Sequence, residues 1–191
     1  QPELIRASFQ TTFAECFELY FMGTCGARIH AKYLRPKGSN SPHPALLQFH
    51  GYSGNCGDWQ EKLGYVAAGF SLAAMDVRGQ GGLSEDKGGI IGNTLNGHII
   101  RGLDDHPDNL HFRQVYLDTV QLARVVMAMP EVDETRVCAM GMSQGGGLTL
   151  ACSSLEPRIR RLSPMCPFLC DYQRVWEMDL AKDAYEELSL F

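Results

Sequence analysis

The sequence predicts an α/β fold, a mostly parallel sheet with flanking helices, preceded by antiparallel N-terminal strands. Three observations predict it. From residue 45 onward, short apolar runs alternate with helical spacings, the pattern of parallel strands joined by right-handed crossovers. Residues 1–40 lack that rhythm and read as antiparallel strands. The run Gly141-Met142-Ser143-Gln144-Gly145 directly follows the apolar Val137-Cys138-Ala139-Met140, the strand–turn–helix context of a nucleophile elbow.

The elements follow in order. Residues 13–22 are rich in aromatic and apolar side chains, and Gly23 and Gly26 flank a turn. Residues 27–34 alternate, with Ala27, Ile29, Ala31 and Tyr33 on one face and Arg28, His30 and Lys32 on the other. Residues 36–44 are a Gly/Ser/Pro/Asn loop. Residues 45–49 form a short strand and 50–57 a glycine-rich loop. Residues 58–68 place Trp59, Leu63, Val66 and Ala67 at helical spacing, with Asp58 as N-cap and Gly69 as stop. Residues 71–75 are the next strand, followed by Asp76-Val77-Arg78-Gly79-Gln80-Gly81-Gly82. Residues 83–110 are long and irregular, and such a loop is usually functional or disordered.

Residues 112–129 carry the clearest helical pattern. Phe112, Val115, Thr119, Leu122, Val126 and Met129 share one face, while Gln114, Asp118, Gln121 and Arg124 tend to the other. Pro130 stops it. Residues 136–140 are a strand, 144–154 a helix of small residues, and 159–165 one more strand. Residues 172–190 form one or two acidic helices.

The chain has 191 residues, 45% hydrophobic and 20% charged, enough for one globular domain with a sizeable core. A net charge of −5 argues against nucleic acid or an anionic membrane as partner. The basic residues at 158–161 read as a solvated strand entrance. No apolar run approaches the ~20 residues that span a bilayer, and no signal-peptide pattern stands at the start. The seven cysteines are odd in number and include no CxxC pair. Cys138 and Cys152 read as small hydrophobes, and a reducing, cytoplasmic setting is expected.

The chemistry centres on Ser143. A serine hydroxyl needs a base to take its proton and donors to hold the oxyanion. Gly141 and Gly145 keep the strained turn free of side chains. The Gln144 N–H opens the following helix and is one expected oxyanion donor. The second is the Tyr52 N–H, in His50-Gly51-Tyr52-Ser53-Gly54, with Gly51 letting the backbone approach. His50 is expected to orient this loop by hydrogen bonding. Asp104, Asp105, His106, Asp108 and His111 show no metal-ligand spacing and read as turn residues with an N-cap for the next helix. Gly79-Gln80-Gly81-Gly82 lacks the third glycine of a dinucleotide loop. Met140, Met142 and Met165 read as core filling. No metal or organic cofactor is expected.

In this topology the order is serine, then acid, then histidine. All six histidines precede Ser143. Of the aspartates after it, Asp171 reads as a helix cap, and Asp179 and Asp183 fall in the acidic helices. No complete triad can be built in the usual order. Residues 1–191 are therefore expected to be the N-terminal part of a single α/β-hydrolase domain, short of its last strands. The triad acid and histidine would lie downstream. The alternatives are another hydrolase of this fold (a peptidase or longer-chain esterase) and an inactive fragment serving as an interaction module.

The motifs resemble the acetyl xylan esterase / cephalosporin-C deacetylase family, carbohydrate esterases of the α/β-hydrolase superfamily. Arg78-Gly79-Gln80 is similar to its RGQ motif and Gly141-Met142-Ser143-Gln144-Gly145 to its GxSQG motif. Gly97-His98-Ile99-Ile100-Arg101-Gly102-Leu103-Asp104 and Tyr116-Leu117-Asp118-Thr119-Val120 resemble its intervening stretch. Asp171-Tyr172-Gln173-Arg174-Val175-Trp176-Glu177-Met178-Asp179 resembles the segment leading into its lid, so 172–191 would begin a lid-like insertion. The likeness runs from about residue 13 to residue 190. It implies removal of acetyl groups from O-acetylated sugars (acetylxylan, xylo-oligosaccharides) or cephalosporin C through an acetyl-enzyme on Ser143. It also implies Tyr52 and Gln144 as oxyanion donors, with His50, Gly51, Arg78, Gly79, Gln80, Gly141 and Gly145 supporting the site. The implied partner is a small acetyl ester, and the implied assembly a homo-oligomer, a hexamer. The family's later aspartate and the histidine of its HE motif have no counterpart in this sequence.

Overall fold

The computed structural model describes residues 1–38, 41–87, 98–179 and 183–190. Among the described residues there are seven strands: β1 (Glu3–Arg6), β2 (Ala14–Met22), β3 (Arg28–Pro36), β4 (His43–Phe49), β5 (Ser71–Met75), β6 (Val132–Met142) and β7 (Arg161–Met165). They form one sheet in the order β1-β2-β3-β5-β4-β6-β7. The block β5-β4-β6-β7 is parallel, and β1, β2 and β3 extend it antiparallel. Among the described residues four α-helices accompany the sheet: α1 (Leu63–Ala67), α2 (His111–Met127), α3 (Gln144–Leu155) and α4 (Tyr172–Glu177). Among the described residues no helix is long and apolar enough to cross a membrane.

The period-2 alternation of the strands divides two apolar layers. Ile29, Ala31, Tyr33, Ala45, Leu47, Phe49, Ala73 and Met75 pack with Phe112, Val115, Leu122 and Val126 of α2 and with Leu148 and Cys152 of α3. Leu34, Leu46, Leu72 and Ala74 pack on the other face with Val66 of α1. The helices therefore cover both faces, and β5 is buried along its whole length. All seven cysteines are free thiols.

Several expectations need correction. β1 falls within the stretch read as antiparallel strands, but its four residues are all exposed and its place comes from pairing to β2. β4 begins at His43, inside the expected loop, and the register shift between His43 and Ala45 accommodates Pro44. Residues 58–68 are not one helix. A 3-10 turn, Gln60–Lys62, precedes α1, and Asp58 caps neither. The buried Lys62 ammonium instead donates to the Asp58 carbonyl oxygen at 3.1 Å. Gly69 ends the segment with φ 91°. β6 runs well beyond 136–140 at both ends. Residues 172–190 contain α4 and a 3-10 stretch, Asp183–Leu190.

The largest correction concerns α2. Asp118 is buried rather than solvated, and Gln114 accepts a hydrogen bond from Arg78. Met142 and Met165 are exposed beside the β7 edge, not core. Part of the irregular region, 88–97, with Gly97 of the family-like stretch, lies outside the described residues.

Candidate active site at the β6–α3 turn

β6 ends at Met142 and α3 starts at Gln144, so Ser143 alone makes the turn. Its backbone sits at φ 57°, ψ −119°, a conformation costing about 1–3 kcal/mol unless its surroundings impose it. They do. The Ser143 N–H donates to the Met165 carbonyl at 2.9 Å, and the Ser143 carbonyl accepts from the N–H groups of Phe168 (2.9 Å) and Gly147 (3.2 Å). The glycines permit the closeness. A Cβ on Gly141 would stand 2.4 Å from the Gly145 backbone, and one on Gly145 would stand 2.0 Å from the Phe49 carbonyl oxygen. Gly145→Ala must therefore push α3 off β4. It is expected to cost about 2–3 kcal/mol of stability, read from urea unfolding.

Two loops leave the C-terminal ends of neighbouring strands and meet the turn. The first follows β4. His50 donates from Nδ1 to the Gly51 carbonyl at 2.7 Å, and its Nε2 accepts the Val77 N–H at 3.0 Å. An imidazole that accepts a backbone N–H is neutral, and burial lowers its pKa below the usual histidine value. Gly51 lies beside the Met142 carbonyl. Tyr52 packs its ring edge-on to Phe168, centroids 5.3 Å apart. The second loop follows β5 and carries Gln80. The Gln80 and Gln144 amides, both buried, exchange hydrogen bonds of 2.6 and 3.0 Å, and Gln80 Oε1 also accepts the Ser53 N–H at 3.1 Å. One side chain thus ties the 50–57 loop to the start of α3.

The acetyl xylan esterase (AXE1) family profile matches residues 1–191. The chain belongs to the acetyl xylan esterase family. Acetyl xylan esterase 1 from Thermoanaerobacterium sp. JW/SL YS485 is 64% identical and superposes with a TM-score of 0.94 over 99% of this chain and 59% of that one. Acetyl xylan esterase from Paenibacillus sp. R4 is 35% identical, with a TM-score of 0.88 over 99% of this chain and 60% of that one. The acetyl esterase Axe7A of Xylanibacter ruminicola is 36% identical over 76 residues, 40% of this chain and 17% of that protein. The chain therefore spans about three-fifths of the length of these solved relatives. A brefeldin A esterase at 18% identity, TM-score 0.59, shares the fold.

Within this acetyl xylan esterase family chain, the structure gathers Ser143, Gln144, Gly141, Gly145, His50, Gly51, Tyr52 and Gln80 around the turn. The Arg78 side chain points elsewhere: it is fully buried against Asp118, Gln114 and Thr24. Gly79, at φ 71°, faces Asp86, His98 and His111. The Ser143 hydroxyl makes no hydrogen bond among the described residues, and both nitrogens of His50 are committed to backbone. Asp171 caps α4, accepting the Arg174 N–H at 3.3 Å. His106 Nδ1 accepts the Asp108 N–H and so caps the turn Pro107–Asn109, whereas α2 itself has no side-chain cap.

Among the described residues, one group could hold a metal by donor type. His30, Cys56 and Asp76 each offer a ligand atom, all within 4.8 Å of one another. However, Asp76 and Glu18 already occupy both His30 nitrogens at 2.6 Å. Burial, with Asp76 beside it, pushes the Cys56 thiol up to about 12. The cluster is satisfied by protons. A cavity of about 400 Å³ lined by Glu15, Arg35, His43 and Glu131 lies at the far end of β4, ~20 Å along the strand from the turn. Its arginine is already paired with both glutamates.

Sequence reasoning missed Phe168 and Met165, which hold the turn through their backbone, and Asp76, which lies two positions before the Arg-Gly-Gln run. Backbone partners leave no residue-type signal. Asp76 had one: a carboxylate at the end of an apolar strand.

Proposed function

We propose that this chain carries the nucleophile and oxyanion donors of a serine acetyl esterase acting on acetylated xylan, xylo-oligosaccharides or a similar small acetyl ester such as cephalosporin C. The observation that carries the reading is Ser143 at φ 57°, ψ −119° on a strand-to-helix turn, tethered by three backbone hydrogen bonds. The names of the 64% and 35% identical relatives support the acetyl ester as substrate.

In this reading a histidine outside these residues takes the Ser143 proton as Oγ attacks the acetyl carbonyl carbon. The N–H groups of Gln144 and Tyr52 hold the oxyanion, and Gln80 fixes the distance between their two segments. The ester C–O bond breaks, the histidine returns its proton to the departing sugar oxygen, and an acetyl-enzyme remains. Water then attacks it, releasing acetate and restoring the hydroxyl. These steps balance without a redox or organic cofactor.

The test compares acetyl, butyryl and peptide substrates with the full-length protein. Hydrolysis of acetyl esters at least about tenfold faster, in kcat/KM, than of butyryl esters is the expected result. A preference for the longer acyl group or for the peptide would contradict the acetyl-ester reading.

A further inference from the structure

We propose that His30 is a positioning residue for the loop that carries Tyr52, acting through Asp76. The inference rests on the esterase reading for its catalytic consequence, but its anchoring role stands on geometry alone. His30 lies on β3, 1% exposed. Its Nδ1 is 2.6 Å from Asp76 Oδ2, and its Nε2 is 2.6 Å from Glu18 Oε2 on β2. An imidazole with a carboxylate on each nitrogen donates from both and is an imidazolium. Burial works against that charge, but the bonds to Asp76 and Glu18 outweigh it and raise the pKa. Burial also opposes the Asp76 charge. The His30 bond, together with the Leu83 and Cys56 N–H groups, nevertheless holds that carboxyl well below its usual range.

Asp76 is where the two site loops are fastened. Its Oδ1 accepts the Cys56 N–H at 2.6 Å and its Oδ2 the Leu83 N–H at 2.8 Å. Its carbonyl accepts the Ser84 hydroxyl at 2.6 Å, and Ser84 Oγ accepts the His30 N–H at 2.9 Å. Cys56 closes the loop that contains Tyr52. Leu83 closes the loop that contains Gln80. The Gly81 N–H donates to the Gly54 carbonyl at 2.9 Å and laces the two together. Without the imidazolium, Asp76 is a buried carboxylate with no counter-charge in contact. It then takes up a proton, loses an acceptor position and releases one of the two amides.

Among the described residues, the other titratable and charged groups facing this cluster include His50, whose pKa burial lowers and the Asp76 charge pulls back up in part. The Tyr20 ring of β2 lies 5.0 Å from the imidazole, and Arg28 stacks on that ring. The Cys56 thiol lies beside Asp76, and Lys32 of β3 donates to the Gly57 carbonyl. Lys62, behind Cys56, has its pKa lowered by burial. The pH consequence follows in sign. The His30 contribution is complete below its unfolded value of about 6.5 and fades as pH rises through the raised folded value. The Asp76 contribution is complete above about 3.9 and fades as pH falls through the depressed value. The contribution of this pair, read as the midpoint difference between wild type and His30→Gln, should therefore be level between roughly pH 4 and 6.5 and decline on the alkaline side, while the buried neutral His50 and His111 add an acid-side loss common to both proteins.

The test uses the full-length protein, wild type and His30→Gln, with Glu18→Gln as the milder variant should the first not fold. Amide hydrogen exchange is read at Cys56 and Leu83, kinetics on an acetate ester at pH 7, and the thermal midpoint against pH. The expected result is lost protection at those two amides and a kcat about 10–100-fold lower at unchanged KM, with the alkaline decline of the midpoint removed. Glu18→Gln should move each readout less, in the same direction. Retained protection with unchanged kcat overturns the proposal, as does a lower midpoint with normal kcat in the folded variant. If the wild type cleaves no acetate ester, the esterase reading fails separately. Exchange then decides: lost protection upholds the anchoring, and retained protection overturns it.

Discussion

Ser143→Ala in the full-length protein is expected to cut hydrolysis of a chromogenic acetate ester by roughly 10⁴–10⁶-fold. The loss should appear in kcat, because the hydroxyl forms a bond only in the transition state and after it. Stability should stay within about 0.5 kcal/mol of wild type. The Ser143 backbone bonds to Met165, Phe168 and Gly147 are independent of the side chain. The hydroxyl itself has no hydrogen-bond partner among the described residues, and alanine keeps the Cβ. A large kinetic effect beside a small stability effect separates a reacting group from a packing group. Near-normal turnover would remove Ser143 from the chemistry.

Arg78→Ala should give the opposite pattern, a loss of stability of about 3–5 kcal/mol, read from urea unfolding. Arg78 and Asp118 are both buried, with Nε–Oδ2 at 2.6 Å and Nη2–Oδ1 at 2.8 Å. The remaining donors reach Gln114 Oε1 at 2.8 Å and Thr24 at 2.9 and 3.1 Å. The guanidinium thus joins three segments: the turn after β2, the loop after β5, and α2. Removing it strands a buried carboxylate whose pKa burial already raises against the pull of Arg78 and Thr24. The double variant Arg78→Met/Asp118→Leu should lose much less, because no unpaired charge remains. A single-variant loss below about 1 kcal/mol would mean the pair contributes no more than a surface ion pair.

The parallel block was legible because fully buried strands such as Ser71–Met75 are nearly all apolar and bounded by Gly and Asp. The strand–turn–helix at Ser143 was legible because close backbone approach leaves glycine as its mark. What failed to show was polar burial. Alternation put His30 with Arg28 and Lys32 on a polar face. The 50–57 and 76–84 loops cover that face and bury the imidazole. Helical spacing put Asp118 on the polar face of α2, but its partner is forty positions away, and no local pattern reports such a pair. Met142 and Met165 lie beside β7, the edge strand among the described residues, and are exposed there.

The most direct measurement is covalent trapping. The full-length protein is treated with a serine-directed phosphonate, digested and mapped by mass spectrometry. The expected adduct is on Ser143, forms in step with loss of acetate-ester hydrolysis and is absent from Ser143→Ala. An adduct on another residue, or full inactivation with Ser143 unmodified, would contradict it.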